Sequence, residues 1–277
     1  MGLRSMNMKY PWLIIGLILS LANWSCEENV DVNLDTVPPR LVVEATINWT
    51  KDTDGRLQRI ILSQTTPYFE ESPSPASDAI VYIENSEGQR YDFIEEGTSG
   101  IYINDNFNAE LDMSYTLFIQ YQEELYQAEE KMMAVTDLTY ITQNNGTIFS
   151  NEYIELKAYF EDPPEKGNYY FYKFESPRDH SINVAEDRLL NGNKMFAIIV
   201  SEELKKGDLV HVSLYGVSKE FYNYMFTLIS QSGENRGPFA TQPATVKGNI
   251  INLSDPENFA LGYFRVSQED TYIYEVD

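Results

Sequence analysis

The stretch SYTLFIQY, residues 114–121, decides the fold. Tyr115, Leu117, Ile119 and Tyr121 recur at every second position, with Thr116, Phe118 and Gln120 between them. A strand sends alternate side chains to opposite faces, so this period places four large side chains on one side of a sheet. The next run, residues 124–132 (ELYQAEEKM), reads as a further strand.

Working outward, the same period recurs on both sides. Upstream lie LVVEATI (residues 41–47), RLQRIILS (56–63), AIVYIEN (79–85), residues 89–95 and residues 100–103. KDTDG, residues 51–55, joins the first two of these runs. It has a superficial likeness to a calcium loop but lacks the downstream ligands, and it reads as a hairpin turn. Residues 66–78 carry Pro67, Pro73 and Pro75, which stop both ladder and helix, so this segment reads as a loop, functional or a solvated crossover. Short strands at this spacing predict an antiparallel β-sandwich of immunoglobulin or transthyretin type over residues 40–135.

Residues 134–137 read as a boundary, and residues 136–277 as a second β-rich domain. Its expected strands are 148–160, 168–176 (NYYFYKFES), 195–200, 209–217, 245–253, 259–267 and 271–276. Residues 177–194 read as irregular, and 201–206 as a turn or short helix. Along NYYFYKFES, Tyr170, Tyr172 and Phe174 alternate with Tyr169, Phe171 and Lys173. The pattern reads as sheet core with hydroxyls at the rim, or as an aromatic ligand platform. Residues 219–231 (KEFYNYMFTLISQ) form the one predicted helix, since Phe221, Tyr224, Met225 and Leu228 fall at i, i+3, i+4 and i+7. Its polar face is not basic, so it reads as packing on the second sheet rather than lying on a membrane. The expected fold is therefore mainly β, two antiparallel sandwich-like domains with one amphipathic helix in the second.

The chain's start carries an address. Arg4 and Lys9 precede an apolar run, residues 12–21, that suits a signal peptide and is short for a membrane span. Ser25 then precedes Cys26, the single cysteine. A small residue before a cysteine, at the switch from apolar to acidic sequence, reads as a lipoprotein signal (residues 1–26) with Cys26 the lipidated first mature residue. Asn23 departs from the leucine usual three places before that cysteine, and Met1, Met6 or Met8 would each serve as the start. Palmitate and other acyl chains on Cys26 would hold the chain to a membrane, each buried CH₂ adding about 0.8 kcal/mol. Residues 27–39, with Pro38 and Pro39, read as an extended tether.

Charge bounds the partners. Residues 1–26 hold two of the 20 basic residues and none of the 43 acidic ones, so the chain from Glu27 carries a formal charge of −25. Nucleic acid and anionic membrane surfaces both require a basic footprint and are disfavoured. With one cysteine there is no internal disulfide. His180 and His211 have no metal-ligand spacing around them, and no nucleophile elbow, P-loop or dinucleotide-binding glycine pattern occurs. Carboxylates are too many for an acid/base pair to be picked from sequence. The chain therefore reads as a non-enzyme, with no catalytic, cofactor-binding or metal-ligating residues assigned and no cofactor. Three N-glycosylation triplets, beginning at Asn48, Asn145 and Asn252, and the triplet Asp35-Thr36-Val37 read as chance matches.

The ordered set of motifs resembles a family of Bacteroidota outer-membrane lipoproteins classed as a domain of unknown function. The residues that carry it are Cys26-Glu27-Glu28, Leu41-Val42-Val43-Glu44-Ala45, Leu62-Ser63-Gln64-Thr65-Thr66-Pro67, Gly100-Ile101-Tyr102, Asp162-Pro163, Gly237-Pro238-Phe239, Val246-Lys247-Gly248-Asn249-Ile250 and Leu261-Gly262-Tyr263-Phe264. Ala45 stands where the pattern expects glycine. Members are typically encoded beside TonB-dependent receptors. The resemblance thus implies a cell-surface outer-membrane lipoprotein, an accessory or binding subunit of a TonB-dependent nutrient transporter, with that barrel as partner. A structural or adhesive envelope lipoprotein is the alternative. Loops 66–78 and 233–243 are the expected contact segments, on length and composition.

Overall fold

The computed structural model describes residues 38–67, 72–148, 151–232 and 244–277. Residues 38–277 form one compact unit. Cys26, the tether before Pro38 and loop 233–243 lie outside the described residues.

The first half builds its core by alternation. Strands β1 (Leu41–Thr50), β2 (Gln58–Gln64), β3 (Ser74–Pro75), β4 (Ile80–Asn85), β5 (Arg90–Glu95), β6 (Ile101–Asn104), β7 (Ser114–Tyr121) and β8 (Glu124–Lys131) follow in order. Val43, Ala45 and Ile47 of β1, Ile83 of β4 and Tyr115, Leu117 and Ile119 of β7 all point into one core, each almost fully buried. β7 and β8 pair antiparallel from Ser114–Lys131 to Tyr121–Glu124. β5 turns the corner between layers. Its residues Arg90 to Phe93 pair with β4, while Ile94 and Glu95 pair with β6.

The second half has three layers. One sheet is β13 (Lys194–Ser201), β10 (Asn151–Glu161) and β9 (Leu138–Ile148). It faces β12 (His180–Glu186), β11 (Tyr169–Glu175), β14 (Leu209–Val217) and the end of β16 (Leu261–Glu275). Leu156, Ala158, Phe160, Tyr170, Tyr172, Phe174, Val212 and Leu214 fill the space between. The single described helix, α1 (Lys219–Ser232), covers the other face of β11 and β14, where Phe171, Tyr215, Val217, Phe221 and Tyr263 cluster. The two faces of NYYFYKFES are thus two cores rather than a ligand platform. The helix packs where its apolar stripe predicts, through Phe221, Tyr224 and Met225.

β16 is the spine. From Leu261 to Glu269 it runs parallel to β1, and from Glu269 to Glu275 antiparallel to β14. Among the described strands β1 with β16 is the one parallel pair, and a lone parallel bridge, Met133 to Ser267, lies beside it. Two strands expected at 259–267 and 271–276 are therefore a single 15-residue strand. Phe264 and Val266 enter the first core, as do Ile250 and Ala260, so the core of residues 40–135 is completed by the chain's last forty residues. The expected strand 245–253 reduces to β15 (Ile251–Asn252), which pairs with β8. β9 lies just after the expected connector 134–137, in residues to which no element was assigned before Ile148, and β12 lies where an irregular stretch was expected; both are polar edge strands with weak alternation. Gly262 lets the spine start. Its φ is +98°, and a β-carbon there would stand 1.9 Å from the Val43 carbonyl oxygen.

Candidate functional site

Two places gather polar side chains: a buried junction between the halves, and an open cleft at the end of the second sandwich. The junction forms on the face of β16 opposite Phe264 and Val266. Arg265 is 2% exposed and donates from Nη2 to Asn48 Oδ1 at 2.6 Å, while Nε and Nη1 have no protein partner. The ring centroids of Tyr215, Phe221 and Phe171 stand 4.4, 5.4 and 5.7 Å from its Cζ. Burial pulls this guanidinium down to about 10, against the charges of Glu269 and Glu130.

Glu130 of β8 completes the junction. Its Oε2 accepts from Ser218 Oγ at 3.0 Å and from the Tyr263 hydroxyl at 3.1 Å. Ser218 also caps α1, its Oγ accepting from Phe221 N at 3.1 Å. One carboxylate thus joins a strand of the first half, the spine and the start of the helix. Burial raises Glu130 above the ordinary carboxylate range, and the bonds from Ser218, Lys131 N and Tyr263 only partly offset this. Glu269 plays the same part nearby, accepting from Thr50 Oγ1 at 2.6 Å and Tyr215 OH at 2.7 Å. Arg265, Glu130 and Tyr263 are buried and Glu269, Thr50 and Ser218 half-buried, and they hold the halves together.

The cleft is open and about 590 Å³ in volume. The β9–β10 hairpin forms one wall, with Asn145, Gly146, Glu152, Tyr153 and Ile154. Register sets Tyr153 opposite Gly146. A β-carbon on Gly146 would stand 2.4 Å from Tyr153 Cζ and Oη, so the ring lies across the glycine backbone. The other wall is the turn after β13, with Glu202, Leu204, Lys205 and Lys206. Ser201 Oγ accepts from Glu203 N and Leu204 N, and buried Leu204 anchors the turn in the second core. Asp208 Oδ2 accepts from Lys205 N at 2.9 Å. Backbone pinning of this kind fixes where the two lysines start while leaving their ammonium ends exposed.

The sequence-based candidates fall elsewhere. KDTDG is the β1–β2 turn, with Asp52 at φ 61° and Thr53 Oγ1 donating to Thr50 O. The described part of loop 66–78 supplies Ser77 and Asp78 to a smaller hollow of about 330 Å³, shared with Gln120, Tyr121 and Gln122. His180 opens β12 and His211 lies exposed on β14. Among the described residues, no group of three or more His, Cys, Asp or Glu is placed to hold a metal ion. No described helix is long and apolar enough to cross a membrane. Sequence reading missed Gly146, Tyr153, Lys205 and Lys206. Their meeting depends on a register no local signal announces.

Architecture and site together define a mainly β protein of two fused sandwiches, braced by a buried arginine. The chain belongs to the family described as "Domain of unknown function (DUF4249)", whose model matches residues 27–273. Among solved structures it is similar to a two fibronectin type-III domain segment from chicken tenascin, at 13% identity and a TM-score of 0.22, covering 65% of this chain and 91% of that one. No curated protein matches.

Proposed function

We propose that the chain is a lipid-anchored outer-membrane protein that displays a binding body at the cell surface, as accessory subunit of a TonB-dependent nutrient transporter. The observation that carries this reading is Cys26, set where residues 12–21 give way to Glu27 and Glu28. A tether ending at Pro38-Pro39 then leads to one compact body. A rigid body with an open polar cleft suits capture or handover of a ligand better than chemistry. Glu130, a carboxylate that burial raises, lies at the junction and is bonded to Ser218 and Tyr263, out of a substrate's reach. On this reading the protein is not an enzyme.

A C-terminally tagged copy, extracted in mild detergent from native outer membranes, tests the partner. A TonB-dependent barrel recovered in near-equal amount supports the accessory role. Recovery of the chain alone, with normal growth of the deletion strain on every nutrient tried, moves the protein to the structural or adhesive class. Metabolic labelling with a palmitate analogue tests the anchor, and the label should vanish with Cys26→Ala.

A further inference from the structure

We infer that the cleft beside Tyr153 binds a sugar acid, a uronate-bearing unit of a short glycan. This ligand class deepens the binding role proposed above and rests on it only for the surface address, not for the barrel. The Tyr153 ring lies across Gly146 and lines the cleft, so one face is set on backbone and the other is available to a ligand. Aromatic faces are electron-rich and attract the weakly positive C–H groups of a pyranose ring.

Charge narrows the choice. The chain has 43 acidic residues against 20 basic, yet Lys205 and Lys206 stand side by side on this wall. Neither ammonium takes part in an ion pair among the described residues. A carboxylate on the ligand would meet them both. Across the cleft, Glu152 offers an acceptor and Asn145 a further polar group. A phosphate dianion would bring negative charge without hydroxyls to donate to the Glu152 carboxylate. A neutral sugar would leave the lysines unused. A hydroxyl-rich anion uses both walls, its hydroxyls donating to Glu152 and meeting Asn145 while its carboxylate meets the lysines. The volume of about 590 Å³ lies within the usual range of small-ligand sites, about 300–1,000 Å³.

Calorimetric titration of the full chain in detergent with a short oligogalacturonate, and with a neutral galactan oligosaccharide of equal length, tests this. The acidic probe should bind at least about tenfold more tightly than the neutral one. Tyr153→Ala should weaken acidic binding by about tenfold or more, while Tyr153→Phe, which keeps the ring face, retains it. Exchanging both Lys205 and Lys206 for glutamine should remove the preference for the acidic probe. Tyr153 and the lysines are half-buried or exposed, so all three variants fold. Equal binding of both probes, no binding of either, or unchanged binding by Tyr153→Ala would each overturn the assignment. Binding without a co-purifying barrel would leave the site standing and remove the transporter role. A co-purifying barrel with a silent cleft would do the reverse.

Discussion

The first core and the junction treat buried polar atoms in opposite ways. In the first core, Tyr91, Tyr102 and Tyr115 close their hydroxyls on backbone, while Tyr126 donates to Glu124 at the edge of the same sheet. Tyr102 OH donates to Ala76 O and accepts from Ala79 N, both at 2.9 Å. Tyr115 OH accepts from Glu110 N at 2.9 Å and donates to Asn108 O at 3.2 Å. At the junction, Arg265 keeps two N–H groups without a protein partner and Ser267 Oγ has none either. A neutral hydroxyl tied to its own sheet holds one layer in place. A buried charge shared by β1, β8, β14, β16 and α1 instead makes the two halves depend on each other.

The sharpest way to break this comparison is at the spine, which both regions share. Gly262→Ala would force a side chain into a left-handed backbone position with its β-carbon 1.9 Å from Val43 O. The expected loss is at least about 3 kcal/mol by urea unfolding. Because β16 continues from β1 to β14, both halves should unfold in one transition at lower denaturant. If the second half kept its wild-type midpoint, the two regions would be independent and the spine only a connection.

A middle-sized effect separates the regions by pH. Glu130 sits above the ordinary carboxylate range, burial being the main cause, with the nearby Glu220 charge adding to it. A raised carboxylate contributes stability that is full below its unfolded value, about 4.3, and is lost as pH rises through the folded value. Glu124, at the other end of β8, is shifted the opposite way. Burial pushes it up, but Tyr126, Asn258 and Asn252 together bring it below the ordinary range, so its contribution is lost as pH falls. Glu130→Gln should therefore match or exceed wild type by about 1 kcal/mol near neutrality, the gap closing in mild acid. Thermal melts across pH check this, and a gap that stayed constant with pH would remove Glu130 from the account.

Sequence carried the first core well and the junction hardly at all. SYTLFIQY and LVVEATI showed which side chains face inward, because both strands have one wet face and one dry one. NYYFYKFES read as core because its two faces are both aromatic, and both are in fact covered. The parallel pairing of β1 with β16 spans more than two hundred residues and leaves no local trace. β9, LTYITQNNGTI, is a polar edge strand, and without it the facing of Tyr153 on Gly146 could not be foreseen. Arg265 between Phe264 and Val266 is a cation in an apolar run, an irregularity that the sequence reading passed over.

That irregularity supports the smallest expected effect. Arg265→Met removes a buried charge and keeps a flexible side chain of similar length. The loss includes the bond to Asn48 Oδ1 and the attraction of the Tyr215 ring. The gain is that no guanidinium with two unpartnered N–H groups is taken out of water. These oppose one another, so in mild acid, where Glu130 is protonated, the net change should stay within about 1 kcal/mol. The loss should grow as pH rises, since the Glu130 carboxylate, already disfavoured by burial, would then carry its charge without the nearby cation. Combining it with Glu130→Gln should recover part of that loss, a coupling that independent sites lack. If Arg265→Met unfolded the chain at every pH, the guanidinium would be an indispensable strut. If it stabilised at every pH, the junction would hold by packing alone, and the contrast with the first core would be one of degree.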